Sequence, residues 1–240
     1  MEANETKWFL SLSPEGLSNE LPEGEAREVL SEAMPNTSGS RLVSRVNGSW
    51  KAMSYFSKID QEDINRMRTC YQIPDDVVLM IPDPDERVCC PKYEGDVAFY
   101  EVDFQGGIHF PLQPFVRELL DYLSLAPGQV APNGWRTIIS CMVMLRVSSN
   151  GREDLTVDEF LFCYEPCQIA ASLGFWTFKH HDMETRFVHG LPLSNHSWKD
   201  GYVFVCGDNW ERLPREESGG DFVKVRRSWG TPSSSGVVSS

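Results

Sequence analysis

Between residues 108 and 145 the chain repeats apolar positions at helical spacing twice over. Leu112, Phe115, Val116, Leu119, Leu120 and Leu123 follow the i, i+3, i+4, i+7, i+8, i+11 series of a buried helical face. Pro111 and Pro114 stand where a helix begins and a missing N–H costs nothing. Pro127-Gly128 then stops it, because proline cannot donate and disfavours helix in the residue before it. A second apolar face follows at Trp135, Ile138, Ile139, Met142 and Val143, with Asn133 as the expected N-cap. Leu119 and Ile139, one from each stripe, are expected to meet in one helix-hairpin core.

Elsewhere the pattern is shorter. Residues 61–71 read as a helix capped by Asp60, with Asp63 completing a capping box. The proline-rich acidic stretch 74–91 reads as extended or turn. Residues 97–104 alternate poorly but are β-branched and aromatic, which predicts a short strand. Thr156 and Glu159 make the S/T-x-x-E signature of a third helix over 156–164, with Val157, Phe160, Leu161 and Tyr164 inward and Pro166 beyond its end. Aromatic and β-branched runs at 175–178, 186–189 and 202–205 are separated by turn-like sequence and predict antiparallel strands. The fold class is therefore α+β: a helix-rich single domain with a small antiparallel sheet toward the C-terminal end.

Composition sets the boundaries. Residues 1–56 have few periodic apolar positions and read as a mostly disordered acidic leader, with a short helix over 22–32. Residues 57–214 form the expected globular domain, and 215–240 a disordered Ser/Gly-rich tail. The formal net charge is −13. Residues 71–145 alone hold four basic and eleven acidic side chains, a net of −7. Such a body lacks the basic face that phosphate binding draws on, so nucleic acid is an unexpected partner. The sequence holds no run of 18 or more apolar residues, which argues against a membrane span. The first residues carry acids where a secretory signal carries a basic n-region and an apolar h-region. Seven cysteines without framework spacing fit reduced thiols. These features predict an intracellular chain, in cytoplasm or nucleus.

Candidate chemistry is sparse. Asp103 and Asp208 lie near expected strand ends, where a two-metal nuclease places its carboxylates, but no third acid follows on a downstream helix. The predicted reading is of turn or strand-end acids. Cys89-Cys90 is contiguous, Cys163 and Cys167 are separated by Pro166, and His180-His181, His189 and His196 lack a nearby cysteine pair. Core thiols and surface imidazoles are expected, with no metal and no cofactor. The chain has no G-x-S-x-G elbow, Walker lysine or Asp-Thr/Ser-Gly triplet. A helix–turn–helix reading of 115–145 fails on its second helix, which is apolar almost all round and should be buried rather than lie in a DNA groove. Trp176, Trp198 and Trp210 are the candidate partner contacts, weighed against a role plugging the sheet onto the helices.

The wording of several segments resembles the gypsy-type transposon domain, a family of plant retrotransposon-derived reading frames. Gln72-Ile-Pro74, Ile81-Pro-Asp-Pro-Asp-Glu-Arg87, Gly106-Gly-Ile-His-Phe-Pro-Leu112 and the 108–136 stretch come first. Leu191-Pro-Leu-Ser194, Trp198-Lys199, Tyr202-Val-Phe-Val205, Gly207 and Asn209-Trp-Glu211 follow in order. The family carries a transposase label, and its members commonly continue into a heptad-rich helical region that this sequence does not show. The resemblance implies a retrotransposon-derived, gag-like protein. With no catalytic constellation in the residues, the expected role is noncatalytic, acting by self-association or by binding another protein. The competing expectation is a DNA-binding or DNA-processing transposase domain.

Overall fold

Alternation in two strands organises the architecture. The computed structural model describes residues 50–182, 187–192, 196–214, 216 and 222–232, all within one unit spanning Ser49–Ser240. Its elements are α1 (Gln61–Cys70), β1 (Val78–Met80), β2 (Val97–Tyr100), α2 (Glu101–Gln105), α3 (Pro114–Tyr122), α4 (Pro132–Ser148), α5 (Val157–Cys163), β3 (Tyr164–Gln168), β4 (Trp176–His180) and β5 (Tyr202–Cys206), with 3-10 turns at Lys51–Ser54, Pro127–Gln129 and His196–Asp200. The fold is α+β, with antiparallel sheets.

β5 is the centre of a three-stranded sheet in the order β1-β5-β2. Val97 pairs with Val205 and Tyr100 with Tyr202, while Val78 pairs with Cys206 on the other side. Phe99, Val97, Val203 and Val205 point into the main core, and Ala98, Tyr100, Tyr202 and Phe204 into a second cluster with Phe175 and Trp198. A sheet covered on both faces needs no polar alternate positions. That is why 97–104 alternates poorly. The expected strand there is shorter than its apolar run: after Tyr100 the chain turns into α2, whose first turn is closed by Asp103 accepting from the Tyr100 N–H at 2.8 Å. The sheet also draws on residues well before the C-terminal end, since β1 lies inside the 74–91 stretch read as turn.

β3 and β4 form a separate pair, Tyr164 opposite His180 and Gln168 opposite Trp176. β3 starts where α5 ends, and Pro166 sits within it, tolerated because β3 has a single neighbour. The 186–189 expectation is corrected: residues 187–189 adopt no strand, and Arg186 lies outside the described residues.

The helices follow their local signals closely. Asp60 accepts from the Glu62 and Asp63 N–H groups, and Asp63 accepts from Asp60 N–H, the reciprocal box that satisfies orphan donors. Thr156 and Glu159 do the same for α5. α3 begins at Pro114 and buries Phe115, Val116, Leu119 and Leu120. Pro111 stands outside it, after a cis Phe110–Pro111 peptide. For α4 the N-cap is Ala131, not Asn133; Pro132 takes the first helical position. Asn133 instead donates to the Pro192 carbonyl at 2.9 Å.

The stripes of α3 and α4 meet in one core: Leu119, Trp135 and Ile138 belong to it and Ile139 packs against it. The closest packing of α3 is nonetheless on α5, and that of α4 on β4 and α2. Gly134 permits the second contact: a Cβ there would meet Val130 at 2.9 Å and the Thr177 backbone at 3.5 Å. Leu119 is fully buried, while Ile139 is only partly so.

Both expected domain boundaries move outward. Ala52, placed in the leader, is fully buried, and Trp50 meets Trp229 edge-on at 5.9 Å. Residues 1–49, including the 22–32 helix, lie outside the described residues. From the tail, Val225 is buried and its N–H donates to Glu211 at 3.0 Å. Gly230 exchanges two hydrogen bonds with the buried Gln129 side chain, at 2.8 and 2.7 Å. Gln129 anchors the docking: its buried amide accepts from the Ala126 N–H and donates to the Gly174 carbonyl, and Gly230 fills the hydrogen-bonding capacity that remains. A 57–214 fragment is therefore expected to be less stable than a 50–232 fragment. Losing Val225 burial and the Gln129 partners costs on the order of 3–6 kcal/mol. Urea unfolding of the two fragments checks this; equal midpoints would show that the strap contributes nothing.

Candidate functional site

The three candidate partner-contact tryptophans do not share a surface. Trp210 is fully buried and Trp198 nearly so, while Trp176 is half-buried in β4. Trp210 meets Phe99 and Phe110 edge-on at 5.4 and 5.8 Å; Trp198 meets Tyr100 and Phe175 at 4.7 and 5.3 Å. The plug reading describes Trp198 and Trp210. Large rings adjoining a two-faced sheet fill its core more than they reach outward.

Asp103 and Asp208 occupy different environments. Asp103 is fully buried, and burial pushes its carboxyl well above the usual carboxylate range, with the Tyr100 N–H pulling the other way. Asp208 is exposed and paired with Lys224 and Arg227. Burial favours neutral Asp103 in the folded protein, whereas the unfolded chain ionises above its ordinary 3.8. Its contribution to stability is fullest below that value and falls as pH rises. Asp103→Asn, which mimics the neutral form, is expected to gain stability over the parent at about pH 8 and to lose that gain at about pH 4. Thermal melts across this range check it; a pH-independent difference would mean Asp103 is ionised in the fold.

Among the described residues, no three His, Cys, Asp or Glu side chains converge as a metal cluster. Cys163 ends α5 and Cys167 lies in β3, so the chain between them is strand. His181 contacts the Leu161 carbonyl at 3.1 Å, and His189 is exposed. The side chain of His196 lies outside the described set.

The second half of α4 departs most from expectation. Its apolar character all round predicted burial, yet Met144 is 44% and Val147 61% exposed. Trp135 and Ile138 of the first half are fully buried in the core, and Cys141 and Met142 pack against its edge. α4 runs past the sheet it packs on, and its last turns meet α5 across an open cleft of about 290 Å³. Cys141, Met144 and Leu145 form one wall, and Phe160, Cys163 and Tyr164 the other, with Phe187 at the mouth. Burial raises the Cys141 thiol to about 11 and pushes Cys163 and Tyr164 up as well. These groups are neutral at physiological pH, so none is an activated nucleophile. Glu159 lies on the rim with its carboxylate engaged by Thr156.

Phe162, on α5, is 78% exposed and is not among the residues that line the cleft. It is three residues from Glu159, hence its neighbour on the helix surface, as Val147 is of Met144. α5 thus carries a projecting ring and also one wall of an apolar hollow. The hollow suits an apolar side chain far better than a reacting group. α4 itself offers little to DNA: Arg136 bonds Asn133 at 3.0 Å, and Arg146 is paired with Asp154. Composition alone concealed this face, because a helix that is apolar all round reads identically whether its far side is covered or open.

Comparison with family models, curated proteins and solved structures finds no match to this chain. No helix among the described residues is long and apolar enough to cross a membrane.

Proposed function

We propose that this chain is a noncatalytic, gag-like assembly module of retrotransposon origin that pairs with a second copy of itself through the α4–α5 face. The origin rests on the resemblance of the ordered motifs between residues 72 and 211. The mode of action rests on one observation: α5 carries the 78% exposed Phe162 and, through Phe160 and Cys163, one wall of the apolar cleft. A two-fold interface places the same patch on both subunits, so a knob and a hollow on one face can each receive the other's complement. Contiguous exposed apolar surface of this kind commonly marks an association site.

The test is light scattering of the full chain across concentration and salt. A dimer fraction rising with concentration supports the reading. It should also rise with salt, because the net charge of −13 makes like copies repel and salt screens that repulsion. A monomer at all concentrations overturns self-pairing. The transposase alternative predicts duplex binding that weakens steeply with added salt. Titration with duplex DNA at low salt separates the two, since the assembly module leaves DNA free.

A further inference from the structure

Three sulfur atoms converge on the opposite side of the sequence from that cleft's helices. Cys89 Sγ lies 3.3 Å from Met53 Sδ, Cys90 Sγ 3.9 Å from it, and the two thiols 3.7 Å from each other. Met53 belongs to the 3-10 turn Lys51–Ser54. The thiols end a tight turn in which Cys90 N–H donates to the Arg87 carbonyl at 2.8 Å.

Both segments are held in place. Arg87 Nε donates to the Met53 carbonyl at 3.2 Å, tying the two turns together, and its guanidinium lies over Phe56 at 3.4 Å. The Glu86 carboxylate accepts from the backbone N–H groups of Asp83 and Lys92, each at 2.7 Å. This closes the loop that carries the cysteines. Cys89 is buried, Cys90 half-buried, and Met53 47% exposed. The triangle therefore has a rigid inner edge and an open side.

We propose that Cys89, Cys90 and Met53 form a trigonal binding site for a soft monovalent metal ion, copper(I). A point equidistant from sulfurs at these separations lies about 2.1 Å from each, so a few tenths of an ångström of expansion reaches a metal–sulfur length of about 2.3 Å. Thiolate and thioether donors together select copper(I) over harder cations. Zinc prefers four ligands from Cys, His and carboxylate, and no such set converges among the described residues. A two-sulfur linear site does not fit either, because opposed thiolates would stand roughly 4.6 Å apart, against 3.7 Å here. The thioether completes the site.

Metal entry displaces the two thiol protons to solvent.

The experiment uses the full-length reduced chain without oxygen, titrated with copper(I) against a chromophoric copper(I) chelator. One equivalent should be withdrawn from the chelator, and X-ray absorption should show three sulfur neighbours at about 2.3 Å. Cys90→Ser should weaken binding by about a hundredfold or more, and Met53→Leu by about tenfold or more. Cys70→Ser, at an exposed thiol outside both sites, should match the parent. Met53→Leu keeps an apolar side chain at a half-exposed position, so it decides the matter even if a cysteine variant misfolds. Parental affinity in Met53→Leu, or a bound ion with two sulfur neighbours, overturns the proposal.

Discussion

Trp210→Ala is expected to lower the urea midpoint of unfolding far below the parent's, by a large fraction of the total stability. The indole is fully buried against Phe99 and Phe110. Its Nε1–H donates to the Gly207 carbonyl at 2.8 Å, and Arg227 lies over its outer face at 4.6 Å. The backbone beside it accepts from Leu112 N–H at 2.9 Å, tying the chain after β5 to the entry of α3. Truncating a buried tryptophan costs about 3–5 kcal/mol in transfer and cavity terms. Against a total stability of 5–15 kcal/mol for a typical domain, with the Arg227 contact also lost, that is a large fraction. Urea unfolding followed by far-ultraviolet circular dichroism measures it. A midpoint equal to the parent's would mean that Trp210 is exposed in solution and available to a partner.

Phe162→Lys is expected to abolish self-association while leaving the melt of the monomer unchanged. The ring is 78% exposed, so its replacement removes little that the fold uses, and such surface changes stay within about 0.5 kcal/mol. Lysine is suited to this position, in the last turn of α5, where the helix dipole favours a cation. In the proposed dimer the same ring fills the partner's hollow. Aromatic anchors of that kind are worth at least about 2 kcal/mol, or some thirtyfold in affinity. The substitution also lowers the magnitude of the net charge, so weaker association cannot be laid to added repulsion between copies. Concentration-dependent light scattering of parent and variant reads the effect. Equal dimer fractions would remove Phe162 from the interface and with it the geometric basis of the assembly reading.

Local signals in this chain were legible wherever the cause was local. Asp60 with Asp63 and Thr156 with Glu159 close their helices through atoms three residues apart, so the sequence contains the whole interaction. The same holds for Pro114 at the first helical position and for the buried stripe of α3. β5 was visible as an aromatic and β-branched run. β2 was visible as the run from residue 97, whereas β1 and the pairing of residues 78 with 206 and 97 with 205 were not, because strand pairing leaves no periodic trace in either segment.

Failures of the sequence reading share one origin. The apolar surround of α4 promised burial, but burial requires a partner on each side; β4 and α2 cover one part of the helix, and Met144 and Val147 are left exposed. Gln129 and Val225 are ordinary residues until a strap 101 positions from Gln129 returns to it. The vicinal thiols at Cys89 and Cys90 lacked ligand spacing, since their third sulfur comes from a position 36 residues earlier. Sequence by itself determined the caps of α1 and α5, the α3 core stripe, the acidic balance and the α+β class, all of which depend on neighbours within a turn or on composition. Tertiary structure alone decided which apolar faces are covered, which tryptophans are core, and which sulfur atoms meet. Those outcomes depend on long-range closure, where the contacting atoms are brought together by the whole chain and not by their spacing along it.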